Sequence, residues 1–407
     1  MKKSMTLKSS LLVTIFALIS CSGASSDDNG EVLPDNKKDE AVYPEGMKSD
    51  AKELVSQIKI GWSLGNSLEA YYDGAQDTET SWGNPKSTET MIKAVKAAGF
   101  NAIRIPVRWY PHATNDDNIK VDAAWMKRVK EVVDYCINND LYVIINTHHE
   151  MWLESYPLYA HATAVKRKET NLWTQIAYYF KGYDEHLLFA GTNEVHIPDN
   201  WGTPTAENVS VQNGFNQTFV DAVRATGGNN QYRNLIVQTY VCSPENGLNS
   251  MVIPTDATKN RIIVEFHCYQ PTNYCLQDDV KFWGSEYKAY GISEWGQEDY
   301  FTNLFARLKS AFVDKGYPLI LGEFGVVHHS YSAELQAQRG AESRAKYITN
   351  IVSLARKNGI APFWWDNGGI KEGTECFGLF DRNNGMKLVD ATALDAMLEG
   401  AKSSYPF

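Results

Sequence analysis

The sequence has no excess of basic residues of the kind that nucleic-acid binding requires. It contains 39 Lys and Arg residues against 49 Asp and Glu residues, for a formal net charge of −10. Because a phosphate backbone attracts basic surfaces, this balance argues against a nucleic-acid partner. Hydrophobic residues make up 43% of the chain and charged residues 22%, a composition that excludes wholesale disorder.

Long apolar runs are also lacking, and the run at residues 11–19 is too short to span a bilayer as a helix. It follows a basic start with Lys2, Lys3 and Lys8, so we predict a lipoprotein signal peptide over residues 1–20. The sequence Leu-Ile-Ser-Cys that ends at Cys21 resembles the lipobox of bacterial lipoproteins, where the peptide is cut before a cysteine that becomes lipidated. The alternative is a plain secretory signal with an incidental cysteine.

Residues 21–48 are predicted to be the acylated Cys21 and a flexible tether. Large apolar residues are scarce in this stretch, which therefore cannot bury enough surface to offset the entropy lost on ordering. An early Asp27-Asp28 pair resembles the acidic export signal of some surface lipoproteins. The expected location is the cell envelope, lipid-anchored at the outer-membrane surface, or otherwise secreted. The lipid would be the sole membrane contact of a monomer.

Cysteines are few, and none stands in a Cys-x-x-Cys pair. Apart from Cys21, an odd number remains, which argues against a zinc ribbon or a disulfide scaffold. We expect scattered, partly buried thiols, although one disulfide that the sequence cannot place is also compatible with the count. The remaining cysteines are Cys136, Cys242, Cys268, Cys275 and Cys376.

Residues 49–407 alternate short β-branched apolar runs with amphipathic helical patterns. The predicted strands cover residues 59–64, 101–106, 141–147, 187–193, 235–240, 261–267, 318–323 and 361–366. The predicted helices cover residues 87–98, 123–138, 166–180, 209–226, 299–315 and 341–357. Eight such units without a change in composition predict an α/β fold, a single (β/α)8 TIM barrel with extended loops at its C-terminal face.

Polar residues stand where these predicted strands end, which is where such barrels carry their active sites. They are Asn66 after the first strand, Arg104 in the second, His148 and His149 after the third, Asn193 and Glu194 at the fourth, His267 and Tyr269 at the sixth, Glu323 at the seventh, and Trp365 and Asp366 at the eighth. A single such residue is as well explained by a structural ion pair, but a ring of them at one end of the barrel indicates a site.

Two of these residues, Glu194 and Glu323, end apolar strands, where burial of a carboxylate is costly without a purpose. Hydrolysis of a glycosidic bond uses two carboxyl groups, one protonated to serve the leaving oxygen and one ionised to attack the anomeric carbon. Side chains from the fourth and seventh strands can meet across a sugar at ~5–5.5 Å, the separation of a retaining mechanism.

The chain resembles glycoside hydrolase family 5 from residue 59 to about residue 381. The matching motifs are Asn193-Glu194, Ile103-Arg104-Ile105-Pro106, Thr147-His148-His149-Glu150, His267-x-Tyr269, Leu321-Gly322-Glu323-Phe324-Gly325 and Trp364-Trp365. Two further segments, residues 61–66 and 79–85, resemble the endoglucanase branch of that family. One departure is that Val195-His196 follows Glu194 where the family usually has Pro, which leaves the role of His196 open.

The resemblance implies an endo-acting, retaining β-1,4-glucanase without cofactor or metal. By it, Glu194 is the general acid/base and Glu323 the nucleophile. Arg104 and Tyr269 would hydrogen-bond Glu323 and keep it ionised, and Asn193 would hold the sugar 2-hydroxyl. The remaining residues that it implies are His148 and His267, which would bind hydroxyls or tune Glu194, and the substrate-binding residues Asn66, Trp82, His149 and Trp365.

The glycan is the open question within this interpretation. Aromatic residues amount to 12% of the chain, and ring faces stack on glucose-type sugars. Cellulose-type glucan, mixed-linkage glucan and xyloglucan all remain candidates, and a β-mannanase or other β-glycanase is the alternative. Single contacts worth ~1–3 kcal/mol separate these polymers.

Two interpretations of other kinds compete with the glucanase. A metal-dependent amidohydrolase could draw ligands from His148, His149, His196, His267 and Asp366, but the first strand lacks the His-x-His expected of it. A non-catalytic glycan-binding lipoprotein would have no need to keep Glu194 and Glu323 together. Both alternatives are therefore weaker than the hydrolase.

Overall fold

The computed structural model describes residues 43–74 and 78–407, and its strands form one closed parallel barrel in sequence order, β1 to β8. The strands are β1 Gly61–Leu64, β2 Ala102–Ile105, β3 Tyr142–Asn146, β4 Leu187–Ala190, β5 Leu235–Gln238, β6 Ile262–Cys268, β7 Leu319–Phe324 and β8 Ile360–Asp366. A small antiparallel pair, β9 Phe380–Asp381 and β10 Lys387–Leu388, follows them. The predicted barrel fold is confirmed.

Helices alternate with the strands and cover the outside of the barrel. They are α1 Ala51–Gln57, α2 Glu89–Ala97, α3 Ala123–Ile137, α4 Met151–Glu154, α5 Tyr159–Tyr179, α6 Ala206–Ala225, α7 Pro244–Ser250, α8 Thr272–Cys275, α9 Glu298–Ala311, α10 Glu334–Lys357 and α11 Ala391–Ala401. Helices α5 and α10 each begin seven residues before the predicted start, at 159 rather than 166 and at 334 rather than 341. Their first turns are mostly exposed, so no apolar stripe marks them in the sequence.

Apolar side chains fill the amino-terminal end of the barrel, opposite the polar carboxyl-terminal end. Helix α1 contributes Ala51, Leu54, Val55 and Ile58 to one buried cluster. The strands contribute Ala102, Ile144, Leu188, Ala190, Ile236, Ile263, Ile320, Ala361 and Phe363. Because side chains alternate along a strand, Ala102 and Arg104 lie on the same face of β2. Arg104 is two residues closer to the carboxyl end of the strand. The barrel therefore carries apolar residues at one end and its polar residues at the other.

Residues 43–48 belong to the folded unit and not to the predicted tether. Met47 is buried, and its carbonyl accepts a hydrogen bond from Arg261 at 3.1 Å. The rings of Tyr43 and Tyr232 pack edge to face with centroids 5.5 Å apart. Sequence analysis missed this because a short segment with few apolar residues resembles a linker. The rest of the predicted tether, with the signal peptide and Cys21, lies outside the described residues.

The five cysteines that the structure describes are free thiols, as predicted. Four of them are buried, and Cys376 is partly exposed. Among residues 43–74 and 78–407, no helix is both long enough and apolar enough to cross a membrane.

Glu169 of α5 is a buried carboxyl group that plays no part in the site at the strand ends. Its side chain is fully buried, and neither oxygen has a hydrogen-bond partner. Burial therefore raises its pKa well above the ordinary value, with only a weak opposing effect from Lys166. A carboxyl group whose pKa is higher in the folded state costs stability once the pH exceeds its unfolded value.

We predict that Glu169→Gln stabilises the protein, and that the gain grows as the pH rises from 5 to 8. The expected gain is ~1.4 kcal/mol for each pH unit above the unfolded pKa, until the pH passes the raised folded pKa, because the substitution removes the group that must stay protonated. Thermal unfolding of both proteins across this pH range measures it. Glu334→Gln, at the exposed start of α10, is the control and should change little. A gain from Glu169→Gln that is equal at pH 5 and pH 8 would contradict the explanation.

Candidate active site

Glu194 and Glu323 meet above the carboxyl ends of the strands. Glu194 follows β4, whose last residue is Ala190, and Glu323 lies in β7. One carboxylate oxygen of each residue and one ring nitrogen of His267 all lie within 4.8 Å of one another. This short separation suits a carboxylate that attacks a sugar directly and leaves little room for a water molecule between the two acids.

Glu323 is held in place by two donors. Arg104 donates from Nη1 to Oε1 at 2.8 Å, and the Tyr269 hydroxyl donates to Oε2 at 3.0 Å. These are the contacts that the resemblance implied. Arg104 lowers the pKa of Glu323, as expected, but burial has the larger effect and raises the pKa above its ordinary value. The two donors also fix the orientation of this carboxylate.

Glu194 is the more accessible of the two acids, with 24% of its side chain exposed against 8% for Glu323. His267 Nδ1 lies 2.7 Å from its Oε1. Burial opposes ionisation of Glu194, but the hydrogen bond and charge of His267 lower its pKa below the ordinary value. Because Glu194 and Glu323 repel each other when both are ionised, the pair titrates jointly.

His267 is the centre of this cluster. Burial opposes its protonation, but interactions with Cys242, Glu323 and Glu194 together raise its pKa well above the ordinary value. Burial also raises the pKa of the Cys242 thiol to about 12, so at neutral pH the carboxylates carry the negative charge around His267. The imidazolium form of His267 therefore suits this position.

Asn193 lies beside Arg104, which donates from Nη2 to its Oδ1 at 3.0 Å. This bond fixes the orientation of the amide, because the oxygen must face the guanidinium. The nitrogen of the amide then points away from Arg104, as a contact to a sugar hydroxyl requires.

His148 and His149 both face the site, although the sequence leaves open whether His149 turns outward. His149 has a left-handed backbone with φ of 57°, and its amide donates to Glu154 at 3.0 Å. Burial lowers the pKa of His148 well below its ordinary value and that of His149 to about 4, so both are neutral. His148 lies parallel to Trp365, with ring centroids 5.9 Å apart.

Trp82 and Asn66 lie on the β1 side of this opening. Trp82 is 38% exposed, donates to the carbonyl of Tyr71 at 3.0 Å and meets the ring of His149 edge to face. Asn66 has a φ of 56°, and its carbonyl accepts from Asn84 at 2.9 Å. The exposed face of Trp82 makes it the better placed of the two for stacking on a sugar.

His196 links the acid Glu194 to an exposed aromatic ring. Its Nδ1 donates to the backbone carbonyl of Glu194 at 2.6 Å, and its ring stacks on Trp201 with centroids 3.9 Å apart. His196, in the segment where the family usually has Pro, therefore supports the loop that carries Glu194.

Asp366 belongs to the framework and not to the reacting cluster. It accepts hydrogen bonds from Trp62 Nε1 at 2.9 Å, Arg382 Nη2 at 2.9 Å and the Leu379 amide at 2.9 Å. The ligand set of the amidohydrolase alternative therefore does not assemble.

Among the described residues, a possible set of ligands for one metal ion consists of Glu194, His267 and Glu323. Arg104 already donates to Glu323, and its Nη2 lies 3.4 Å from His267 Nε2. A fixed guanidinium at this position opposes a second cation. The charges of the site therefore favour acid–base chemistry.

One charged residue of this cluster, Glu265, was not among the residues predicted from the sequence. It lies in β6, is fully buried, and has a carboxylate oxygen 3.0 Å from Arg104 Nε. The signal was present in the sequence: Glu265 interrupts an apolar strand two residues before His267, so both side chains share a face.

A closed (β/α)8 barrel with two facing carboxyl groups at its carboxyl-terminal end suits a glycoside hydrolase. The model of the cellulase family, glycosyl hydrolase family 5, matches residues 67–370. The chain belongs to this family.

Relatives and solved structures agree with this assignment. Endoglucanase A of Ruminococcus albus is 38% identical over 86% of this chain and 93% of its own length. The Bacteroides ovatus xyloglucanase, solved with a XXXG heptasaccharide, superposes with a TM-score of 0.82 at 35% identity, covering 89% of this chain and 79% of that one. A broad-specificity endoglucanase from Ruminococcus champanellensis with bound cellotriose gives 0.76 at 36% identity, covering 86% and 98%. The chain is accordingly an endo-β-1,4-glucan hydrolase.

Proposed function

We propose that this hydrolase cleaves its glucan with retention of configuration, with Glu323 as nucleophile and Glu194 as general acid/base. The observation that carries the proposal is the approach of the two carboxylates to within 4.8 Å. The roles are assigned from contacts and exposure, since the pKa shifts of the resting pair run the other way and the two acids titrate jointly. Glu323 is held by Arg104 and Tyr269, and Glu194 is more exposed towards the opening, where a leaving group must depart.

In the first step a Glu323 oxygen attacks the anomeric carbon while the bond to the leaving sugar breaks. The proton of Glu194 passes to the leaving oxygen, and a glycosyl ester forms on Glu323. In the second step a water molecule gives a proton to Glu194 and attacks the same carbon, which releases Glu323. His267, bonded to Glu194, stabilises the carboxylate that each proton transfer leaves behind.

The two acids should respond differently to substitution. Glu323→Gln should lower kcat by about 10⁴-fold or more on every substrate, as expected on loss of a nucleophile. Glu194→Ala should lower kcat on polymers by ~10²–10⁴-fold, the value of general acid catalysis. It should spare the first step on dinitrophenyl cellobioside, because that leaving group needs no proton. Burst kinetics with this substrate measure the difference.

Circular dichroism and thermal unfolding are the controls for folding. Equal losses on polymer and aryl glycoside in Glu194→Ala would contradict its role as the acid.

The kcat/KM of the unaltered enzyme should be bell-shaped over acidic to neutral pH. A rate that continues to rise into strongly alkaline solution would also contradict the paired-acid assignment.

We further propose that the preferred polymers are mixed-linkage β-glucan and xyloglucan. Support comes from the relatives, which include a xyloglucan-specific endo-β-1,4-glucanase of Bacteroides ovatus and a lichenase of Caldicellulosiruptor. The exposed rings of Trp82 and Trp201 suit a cleft that takes long chains.

A panel of barley mixed-linkage glucan, xyloglucan, carboxymethylcellulose, galactomannan and xylan tests this choice. We expect a rapid fall in viscosity ahead of the release of reducing ends on one of the first two polymers, and no cleavage by Glu323→Gln. Faster hydrolysis of galactomannan than of any glucan would refute the glucan assignment. Binding without cleavage of every polymer would instead support the glycan-binding alternative.

We propose that the protein is a lipid-anchored monomer at the outer-membrane surface. The proposal rests on the sequence before Cys21. In the full chain, palmitate labelling and membrane fractionation should show a labelled, membrane-bound protein. Cys21→Ser should remove both properties, whereas Cys376→Ser, at a partly exposed cysteine, should keep them. An unlabelled, soluble wild-type protein would point to the plain secretory signal.

A further inference from the structure

A third carboxylate, Glu265, lies beneath the two reacting acids and has no part in the mechanism above. It is fully buried in the middle of β6, between Val264 and Phe266. A buried carboxylate costs much free energy unless charges and hydrogen bonds compensate for it. Its contacts therefore indicate what it does.

The first contact fixes Arg104. Arg104 Nε lies 3.0 Å from Glu265 Oε1 in an ion pair whose N–H is not aligned for a hydrogen bond, while Nη1 donates to Glu323 and Nη2 to Asn193. The attraction between the two buried charges holds the guanidinium in β2 beside Glu265. Glu265 therefore helps to set where Arg104 presents its Nη donors to Glu323.

The second contact is to His267, whose Nε2 lies 3.4 Å from Glu265 Oε1. The other ring nitrogen, Nδ1, lies 2.7 Å from Glu194. Arg104 Nη2 also lies 3.4 Å from Nε2 and disfavours a proton there, but it already donates to Asn193 at 3.0 Å. The Glu265 carboxylate is therefore the acceptor left for a proton on Nε2, and Nδ1 shares a proton with Glu194. The charged or titratable groups near His267 are Glu194, Glu265, Glu323, Arg104, Cys242, His148 and His149.

The surroundings of Glu265 are shaped for a carboxylate. Gln238 donates from Nε2 to Glu265 Oε2 at 2.7 Å, and its own oxygen accepts from the Thr192 amide at 2.9 Å. That second bond fixes the Gln238 amide so that its nitrogen faces Glu265, which must then be an acceptor. In β7, a Cβ on Gly322 would lie 1.9 Å from Glu265 Oε1, so only glycine leaves room for it there.

We infer that Glu265 is a positioning residue of this active site, which aligns Arg104 on Glu323 and holds His267 so that its Nδ1 shares a proton with Glu194. The inference rests on the proposed roles of Glu194 and Glu323. The charge and hydrogen bond of His267 in turn help to keep Glu265 ionised, because they lower its pKa against the effect of burial.

Glu265→Gln tests the inference, because it removes the charge and keeps the size. We expect kcat on β-glucan to fall about 10–100-fold with KM little changed. Loss of a negative charge lowers the pKa values of the neighbouring acids and of His267, so the whole bell of kcat/KM should move to lower pH by about one unit. Glu265→Asp keeps the charge and should recover part of both effects.

Glu169→Gln is the matched control, since it alters a buried glutamate outside the site and should leave the pH profile unchanged. A fall in kcat without movement of the pH profile would show a merely structural role and overturn the inference. An unchanged Glu265→Gln enzyme would also overturn it. In both cases the roles of Glu194 and Glu323 would stand if Glu323→Gln remains inactive.

A measurement on the unaltered enzyme covers the case in which Glu265→Gln fails to fold. Nitrogen-15 NMR of labelled histidine should show His267 as an imidazolium at pH 7, identified by its loss in His267→Asn. A neutral ring with its proton on Nδ1 would contradict the inference, because Glu265 would then hold no proton on Nε2.

Discussion

The buried guanidinium of Arg104 is the constraint on which the site depends. It is fully buried in β2, and three of its nitrogens face Glu265, Glu323 and Asn193. Burial disfavours this cation, but Glu265 and Glu323 together raise its pKa, so its charge is permanent. A permanent buried charge must be matched by acids at fixed positions. Attraction to the Arg104 charge, as well as packing, therefore holds Glu323 and its neighbours in place.

The barrel stabilises this charged cluster because its apolar core and its reacting residues lie at opposite ends. Helix α1 and the inward apolar residues of the strands fill the amino-terminal end, where no charge has to be compensated. The carboxyl-terminal end carries the histidines, acids and amides, supported by residues such as Gln238 and Asp366 that bond backbone and side chains around them. A cluster that would be costly by itself is thus held in a rigid frame.

Sequence reasoning predicted the fold and the reacting acids because both leave local signals. Apolar β-branched runs mark strands, and a carboxylate at the end of such a run is conspicuous, as Glu194 and Glu323 show. Boundaries were less well predicted: β4 ends at Ala190, three residues before the predicted end. The Gly191 amide still donates to Ile236 of β5, but the Thr192 amide bonds the side chain of Gln238 instead of a strand. The sequence also predicts residues 43–48 as tether, because the residues that Met47 and Tyr43 contact, Arg261 and Tyr232, lie far along the chain.

The sequence by itself determined the barrel, the family resemblance and the pair of acids, because strand periodicity and short motifs are local properties. Only the tertiary structure decided the balance of charges, since this depends on distances between β2, β4, β6 and β7. It showed that burial outweighs the effect of Arg104 on the pKa of Glu323, assigned Asp366 to the framework, and linked His196 to Trp201. It also brought Glu265 to Arg104, across 161 positions of sequence, where no local pattern could show that a buried acid faces a buried cation.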